Sequence, residues 1–371
     1  MNEFQTQVLT GAPEILRARP LLEALAAKTG QVEAVSDFHY YLGKPGLLNR
    51  RPVLLLFTED RSEALEAVLP GSVMGAALLF EYQVAGISTA MYTSNDRSGR
   101  RTVIAMPEHR LRLATAAAAF LLERRAHIVM LSVRVETSQQ TCELLSRTTP
   151  LGSWVYRERE VAEYLPLCST FDATLAQIGK RTRTHMRYYR RRAEEQLGCI
   201  FLADAKVSDD ELLQLNRESV YPVPEQLAIW RRRALDQFSD PILMGLRDGE
   251  GRWMALLGGR RLNGDTEILW QMNRSELRSH SLSLVLRTYL IEHEISAGSR
   301  RLYLDGGSGH SISHSFVTAS VTDVAAMRPT LLSFAARKVA RKVIPWDNEL
   351  AHLLVEPQWQ PNRTLRFLTP R

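Results

Sequence analysis

The stretch MALLGGRRLNGDTEILWQMN, Met254–Asn273, predicts two β-strands joined by a tight turn. Asn263 and Gly264 lie at its centre, and an Asn-Gly pair readily supplies the positive φ angles of a two-residue hairpin turn. Ser281–Ala297 follows, with apolar residues at the i, i+3, i+4 spacing of an amphipathic helix. The short apolar stretch Arg301–Asp305 predicts a further strand. The order strand–strand–helix–strand therefore predicts a mixed α/β unit.

The same order of elements occurs earlier in the chain. Gly75–Asp96 predicts two strands with a turn near Gly86, and Pro52–Phe57 predicts a buried strand before them. Glu108–Arg125 predicts a helix, and Ile128–Val133 predicts the strand that follows it. The repeat is one of pattern, because the two copies have no visible identity. We therefore predict an α/β protein with mixed sheets and two similar halves.

The composition is that of a globular protein. Of the 371 residues, 45% are hydrophobic and 24% are charged, which excludes a disordered or fibrous chain. Domains of roughly 100–200 residues predict two domains at this length. We place them at residues 1–150 and 151–371. The linker would lie around Thr148–Pro166, which carries Pro150 and Gly152 and ends on a proline.

Cysteine content and hydropathy indicate a cytoplasmic protein. The three cysteines, Cys142, Cys168 and Cys199, are too far apart in sequence for a CxxC unit, and three is too few for a disulfide scaffold. The first twenty residues lack the basic and apolar regions of a signal peptide. Leu113–Leu122 is the longest apolar run and has about half the length that a membrane helix needs. We expect no membrane insertion.

Positive charge is concentrated in one segment. The chain has a net charge of +6, and KRTRTHMRYYRRR at Lys180–Arg192 holds seven of the basic residues and no acid. The arginines on one side of this predicted helix are Arg183, Arg187, Arg190 and Arg191. Such a face favours an anionic partner that carries phosphate groups. The alternative is a solvated face whose arginines pair with acids such as Glu194 and Glu195.

The segment around this helix resembles a known family. FDATLAQIGKRTRTHMRYYRRRAEEQLG, Phe171–Gly198, is similar to the GNAT-fold acetyltransferases of the CelD (cellulose-biosynthesis) type, which have the pattern K-[TS]-R-x-x-[ML]-R-x-x-R-R before a Glu and a Gly. The matching residues are Lys180, Thr182, Arg183, Met186, Arg187, Arg190, Arg191, Glu194 and Gly198. The similarity continues through LSVRVETSQQTCELL (Leu131–Leu145) and LYLDGGSG (Leu302–Gly309), so it covers most of the chain.

The resemblance implies two tandem GNAT-like domains, as in the Fem-type aminoacyltransferases, with the acyl donor in the second. It implies an enzyme that transfers an acetyl or longer acyl group from acyl-CoA to an amine. The acceptor would be a small molecule, a saccharide or a peptide, and tRNA is a less favoured partner. Attack would be direct, since no nucleophile-elbow GxSxG motif is present.

The resemblance also locates the donor site. GNAT folds bind the CoA diphosphate with backbone N–H groups at a helix N-terminus, where the macrodipole favours negative charge. The matching residues here are Ser279, His280, Ser281, Leu282 and Ser283, although the family usually has a glycine at this position. The alternative is an ordinary Ser-capped helix.

The strand before this helix is the expected site of the thioester. Backbone N–H groups of Ile268–Asn273 would stabilise the oxyanion, and Trp270 and Met272 would lie beside the acyl group. The alternative for these two side chains is the hydrophobic core.

Catalytic residues are expected after the next strand, where α/β folds place their chemistry. Asp305, His310 or His314 would accept the proton of the attacking amine. The alternatives are a turn-capping Asp305 and solvated histidines, and we expect no metal, because no Glu lies between the two histidines. Tyr221 and Trp230 are candidates for the acceptor site.

Two other functions stay open. The chain could be a Fem-like transferase that uses aminoacyl-tRNA, in which case the basic helix would bind RNA with a steep salt dependence. It could also be a catalytically degenerate GNAT-fold protein that binds partners in polysaccharide or secondary-metabolite assembly. The second alternative is favoured by the missing glycine of the donor loop.

Overall fold

The computed structural model describes residues 4–36, 42, 50–59, 65–94, 96, 98–134, 153–304, 312–328 and 366–368. The chain forms two compact units, the first made of Met1–Val161 with Ala319–Arg371 and the second of Ala162–Thr318. None of the described helices is long and apolar enough to cross a membrane.

The described chain contains both strands and helices, in runs of one to four elements of a kind. The strands are β1 (Gln5–Thr10), β2 (Arg50–Thr58), β3 (Val73–Val84), β4 (Ile87–Thr93), β5 (Val103–Ala105), β6 (Ile128–Arg134), β7 (Ser153–Pro166), β8 (Ile200–Leu202), β9 (Pro241–Arg247), β10 (Trp253–Leu262), β11 (Asp265–Asn273), β12 (Arg301–Leu304), β13 (Val317–Met327) and β14 (Arg366–Leu368). The helices are α1 (Ala12–Arg17), α2 (Arg19–Thr29), α3 (Val32–Ser36), α4 (Pro107–Glu123), α5 (Phe171–Gln177), α6 (Lys180–Leu197), α7 (Asp209–Arg217), α8 (Glu225–Leu235) and α9 (Leu282–Ser296).

The first unit has a mixed sheet with helices on both faces. Its strand order is β1-β2-β3-β4-β6-β13, and β5 pairs with β3. β3 and β4 form an antiparallel hairpin, and β6 returns parallel to β4 after α4. In β2, Val53 and Phe57 pack with α4, whereas Leu54 and Leu56 pack with α1 and α2. Because successive strand residues point to opposite faces, burial of both faces explains the uninterrupted apolar run of β2.

The second unit has the same central order. β10 and β11 are antiparallel, and their turn has positive φ at Asn263 (54°) and Gly264 (79°), as the Asn-Gly pair predicted. β12 returns parallel to β11 after α9, and the sheet continues from the end of β7 through β12-β11-β10-β9-β8. α9 packs its apolar face on this sheet and lies against α6. The strand–strand–helix–strand order predicted for both halves of an α/β protein with mixed sheets is confirmed.

One stretch differs from its prediction. Residues expected to belong to a linker form β7, which pairs with β12 through Tyr164–Pro166. In the first unit, Arg159 of this strand donates from Nε to a carboxylate oxygen of the buried Asp323 at 2.7 Å. The linker was predicted from Pro150, Gly152 and Pro166, but the strand begins after the first two and Pro166 is its last residue, so its interior is free to pair.

A buried carboxylate fastens the C-terminal end of α9 to the hairpin beneath it. Arg261 of β10 donates two hydrogen bonds to Glu294, at 2.6 Å from Nη2 and 2.9 Å from Nε. The hydroxyls of Thr266 and Ser299 donate to the same carboxylate at 2.5 and 2.9 Å. Glu294 is fully buried, so these four donors replace its lost hydration. The network fixes α9 on β10 and β11.

Candidate functional site

The predicted donor corner is the turn that leads into α9. A short 3-10 turn, Arg278–His280, precedes Ser281, and α9 begins at Leu282. The Ser281 carbonyl accepts hydrogen bonds from the N–H groups of Leu284 (2.8 Å) and Val285 (3.1 Å). The N–H groups of Leu282 and Ser283 belong to the first helical turn, which has no partners within a helix. The corner therefore presents two backbone donors at the positive end of the helix dipole.

Ser281 has the conformation that glycine adopts most easily. Its φ of 49° and ψ of 45° are left-handed, a region that disfavours residues with a Cβ. The backbone therefore forms a left-handed turn here with serine in place of the glycine that such a turn favours.

We expect Ser281→Gly to raise the free energy of unfolding by up to about 1 kcal/mol, because the left-handed strain disappears. The larger backbone freedom of glycine in the unfolded chain reduces the gain. Ser281→Val should instead destabilise the protein, since a β-branched residue tolerates this region poorly. Urea unfolding of the three proteins measures both effects, and a destabilised glycine variant would contradict this account.

Two arginines without acidic partners in the described part of the chain stand near this corner. Arg192 of α6 donates from Nη1 to the backbone oxygen of Ser279 at 3.4 Å, and Arg278 is exposed in the turn itself. His280 lies 3.2 Å from Oε1 of Gln196 through its Nε2. Burial, and then the positive charge of Arg192, lower the pKa of His280, so its ring is neutral at pH 7. The corner is thus electropositive without a charged histidine.

The described pairing of β11 with β12 beneath the corner covers only the first part of β11. β11 and β12 pair from Asp265 with Arg301 to Ile268 with Leu304, but β11 continues to Asn273. Beyond Ile268, this edge of β11 has no strand partner among the described residues. The side-chain amide of Gln271 lies 3.4 Å from the backbone oxygen of Ser283, which brings the unpaired segment to the first turn of α9. The segment of β11 beyond its described pairing with β12 therefore adjoins the donor corner.

The two predicted acyl-pocket residues are buried. Trp270 and Met272 are each 4% exposed. The indole of Trp270 lies across Gly258 so closely that a Cβ there would be 2.3 Å from the ring. Its Nε1 is buried without a hydrogen-bond acceptor in the described chain. Their role beside an acyl group stays a prediction.

The basic face of α6 is largely paired with acids. The ion pairs are Arg187–Asp172 (2.8 Å), Arg190–Glu194 (3.1 Å), Arg190–Glu292 (2.6 Å) and Arg191–Glu195 (3.9 Å). Arg183 donates to the backbone oxygen of Leu175 at 3.4 Å. Arg190 also lies over the ring of Tyr289, 4.0 Å from its centroid. Much of the positive charge of α6 is thus balanced by acids of the same protein, which was the alternative that the sequence left open. Binding of an anion to this face stays a prediction.

The predicted catalytic and acceptor residues are not brought together by the described contacts. Asp305 and His310 lie outside the described residues. His314 is exposed in the short turn Ser313–Ser315. Tyr221 is 84% exposed, and Trp230 is half-buried in α8. Within the described ranges, no three His, Cys, Asp or Glu side chains converge as metal ligands would.

Sequence reasoning missed Arg287, in the middle of α9. Its Nε is buried and has no hydrogen-bond partner in the described part of the chain, and no acidic side chain there pairs with it. Burial lowers the pKa of this guanidinium to about 10, so it remains charged at pH 7. The signal was present in the sequence, because Arg287 interrupts the apolar run LSLVLRTYLI.

Comparisons with known proteins find similarity only among solved structures. No protein-family model matches the chain, and no curated protein matches its sequence. A tandem GNAT protein from the clavulanic acid biosynthesis pathway, without AcCoA, is similar with a TM-score of 0.49 and 13% identity over 88% of this chain and 100% of its own. L-PGS from Bacillus licheniformis has a TM-score of 0.49 and 12% identity, over 87% of this chain and 96% of its own. FemX has a TM-score of 0.43 and 10% identity, over 72% of this chain and 87% of its own.

Proposed function

We propose that the chain is a GNAT-type N-acyltransferase that moves an acetyl or longer acyl group from acyl-CoA to an amine. One observation carries the proposal: the electropositive first turn of α9 adjoins the segment of β11 that continues beyond its described pairing with β12. An acyl-CoA needs a site for its diphosphate, and backbone N–H groups of this strand segment would serve its thioester. The resemblance of Phe171–Gly198 to CelD-type acetyltransferases supports the same activity.

The residues of the corner suit a diphosphate. The N–H groups of Leu282 and Ser283 would donate to its oxygens, and Arg192 and Arg278 would balance its charge. The exposed hydroxyl of Ser279 and the neutral ring of His280 add further donors at the rim.

The chemistry requires no covalent enzyme intermediate. The amine nitrogen attacks the thioester carbon, the C–N bond forms, the C–S bond breaks, and the thiol leaves as CoA. N–H groups of β11 beyond Ile268 would donate to the carbonyl oxygen as negative charge develops there. Asp305, His310 or His314 would take the ammonium proton. Burial, and then the charge of Glu194, raise the pKa of Cys199 to about 12, which makes this thiol a poor nucleophile.

We expect CoA to raise the melting temperature of the protein and Arg192→Ala to weaken CoA binding about ten-fold, because a charge-assisted hydrogen bond to phosphate is lost. Calorimetric titration of CoA measures the change. Arg217→Ala is the matched control, since Arg217 of α7 is an exposed arginine that pairs with Glu225 of α8 at 2.8 Å. If the Arg192 variant bound CoA as tightly as the wild type, the turn before α9 would not be the CoA site.

The same thermal-shift experiment separates the other two functions. It compares CoA, acetyl-CoA, a long-chain acyl-CoA and tRNA at one salt concentration. Stabilisation by tRNA alone would favour the Fem-like aminoacyl-tRNA-dependent transferase, although the ion pairs on α6 leave less free charge for RNA. CoA binding without thiol release in the presence of amines would favour a degenerate binding protein.

A further inference from the structure

The hairpin of β3 and β4 in the first unit ends in an exposed apolar tip, residues 84–87. Val84 and Ile87 are 53% and 72% exposed, and they lie opposite each other across the hairpin, so their side chains form one patch. β6 pairs with β4 only from Met91 onward, and the described pairing of β3 with β2 ends at Tyr82. The tip therefore extends beyond both neighbouring strands.

The hairpin of the second unit shows that such a turn does not require apolar residues. There, the two turn positions are Asn263 and Gly264, and both have positive φ. In the first unit the same two positions are Ala85, with a φ of 50°, and Gly86. Asparagine tolerates this left-handed region better than alanine does. The apolar tip therefore brings no advantage to the turn itself, which points to a contact that the tip makes outside the chain.

Arginines lie at the same end of the sheet as the tip. Arg50 begins β2, which is antiparallel to β3, and its guanidinium lies over the ring of Tyr82 at 4.7 Å from the centroid. Arg124 and Arg125 follow α4 and precede β6, which is parallel to β4 and so begins at this end. Both are exposed, and neither forms an ion pair with a described residue. The exposed acid beside them is Glu123, so the end of the sheet around the tip is positively charged.

We infer that this tip docks the protein on the surface of an anionic lipid membrane. The side chains of Val84 and Ile87 would enter the boundary between headgroups and acyl chains, and the arginines would stay at the level of the lipid phosphates. A contact this shallow involves no membrane-spanning segment. A second copy of the chain fits less well, because it would bring like charges together. Nucleic acid offers phosphates but no aliphatic layer for the tip.

The test measures co-sedimentation of the full chain with lipid vesicles. One set contains phosphatidylcholine alone, and the other contains equal parts of phosphatidylcholine and phosphatidylglycerol. We expect the wild type to bind the anionic vesicles at least about ten-fold more tightly than the neutral ones, and added salt should reduce this difference. Val84→Ser combined with Ile87→Ser should weaken binding to the anionic vesicles about ten-fold, because the apolar surface is lost. Arg124→Ala combined with Arg125→Ala should remove most of the preference for anionic lipid.

Two further variants separate docking from folding. Leu69→Ser is the matched control, since Leu69 is 66% exposed but precedes β3, at the opposite end of this strand from the tip. It should change vesicle affinity by less than about two-fold, as expected for a single exposed apolar residue away from the contact. Ala85→Asn gives the first unit the turn of the second, so it should raise the melting temperature while it weakens vesicle binding. Ile87→Ser alone serves if the double serine variant does not fold.

Three results would overturn the inference. The first is a wild type that binds anionic vesicles no more tightly than neutral ones. The second is unchanged vesicle binding after the serine substitutions at the tip. The third comes from sedimentation without vesicles: a wild-type dimer that the serine substitutions dissociate would make the tip an interface between two copies of the chain.

Discussion

Replacing Glu294 by alanine is expected to lower the free energy of unfolding by about 3 kcal/mol. The change leaves the guanidinium of Arg261 with only its weaker contact to Asp240 at 3.2 Å, and it leaves the hydroxyls of Thr266 and Ser299 without their acceptor. The loss comes chiefly from these two buried hydroxyls, because an unsatisfied buried donor costs about 1–3 kcal/mol, and Arg261, whose side chain is 24% exposed, adds a smaller part. Urea unfolding measures the loss.

A carboxylate on the same helix provides the control. Glu292 pairs with Arg190 at 2.6 Å but is 45% exposed, so Glu292→Ala should cost less than about 1 kcal/mol. The Glu294 variant should also bind CoA more weakly, because α9 is no longer fastened to β10 and β11 at its C-terminal end. Equal losses for the two variants would show that burial of Glu294 does not matter.

The carboxylate of Glu294 should also contribute to the pH dependence of the free energy of unfolding. Burial by itself would raise the pKa of Glu294, but hydrogen bonds from Arg261 and Thr266 outweigh it, and the pKa lies below its ordinary value of 4.5. The unfolded chain therefore binds this proton more readily than the folded one. The stabilisation is complete above about pH 4.5 and is lost as the pH falls through the folded pKa. Glu294→Gln should remove this part of the acid dependence, so its stability relative to the wild type should improve below pH 4.5.

Local patterns were sufficient to predict the central elements of both units. The hairpin at Asn263-Gly264 was predictable because its turn depends on two adjacent residues, and α9 was predictable because its apolar spacing spans four turns. β7 was mispredicted as part of a linker because a strand is stabilised by partners distant in sequence, such as β12. A paired strand with charged residues has no distinctive local signal.

The candidate site was predictable only in part. The turn before α9 was predicted from the resemblance, whereas the left-handed conformation of Ser281 is visible only in the folded chain. The contact of Arg192 with Ser279 joins residues 87 positions apart, so no local pattern indicates it. Arg287 was visible as a charge in an apolar run, but its lack of a partner is a property of the folded chain. Sequence reasoning detects residue types and spacings, whereas it does not detect buried polar atoms that lack a hydrogen-bond partner.

Replacing Gly259 by alanine is expected to destabilise the second unit by about 3 kcal/mol or more. Gly259 lies at a β-bulge. Gly258 pairs with Trp270 and Gly259 pairs with Ile268, so Leu269 of β11 has no opposite residue on β10. A Cβ at this position would be 2.1 Å from the backbone oxygen of Glu267 and 2.9 Å from the Cα of Ile268. Both are main-chain atoms of a paired strand, so the clash is relieved only by separating β10 from β11.

The bulge also sets the position of β11 beside β12, so the alanine variant should lose CoA binding together with stability. Gly249→Ala is the matched control, because Gly249 has an ordinary φ and a Cβ there would be 3.8 Å from its nearest neighbour. That variant should change the free energy of unfolding by less than about 1 kcal/mol. Urea unfolding and CoA titration of both variants give the comparison. A Gly259→Ala protein as stable as the control would show that β11 can move away from β10 at low cost, and β11 would then not hold a fixed position beneath the donor corner.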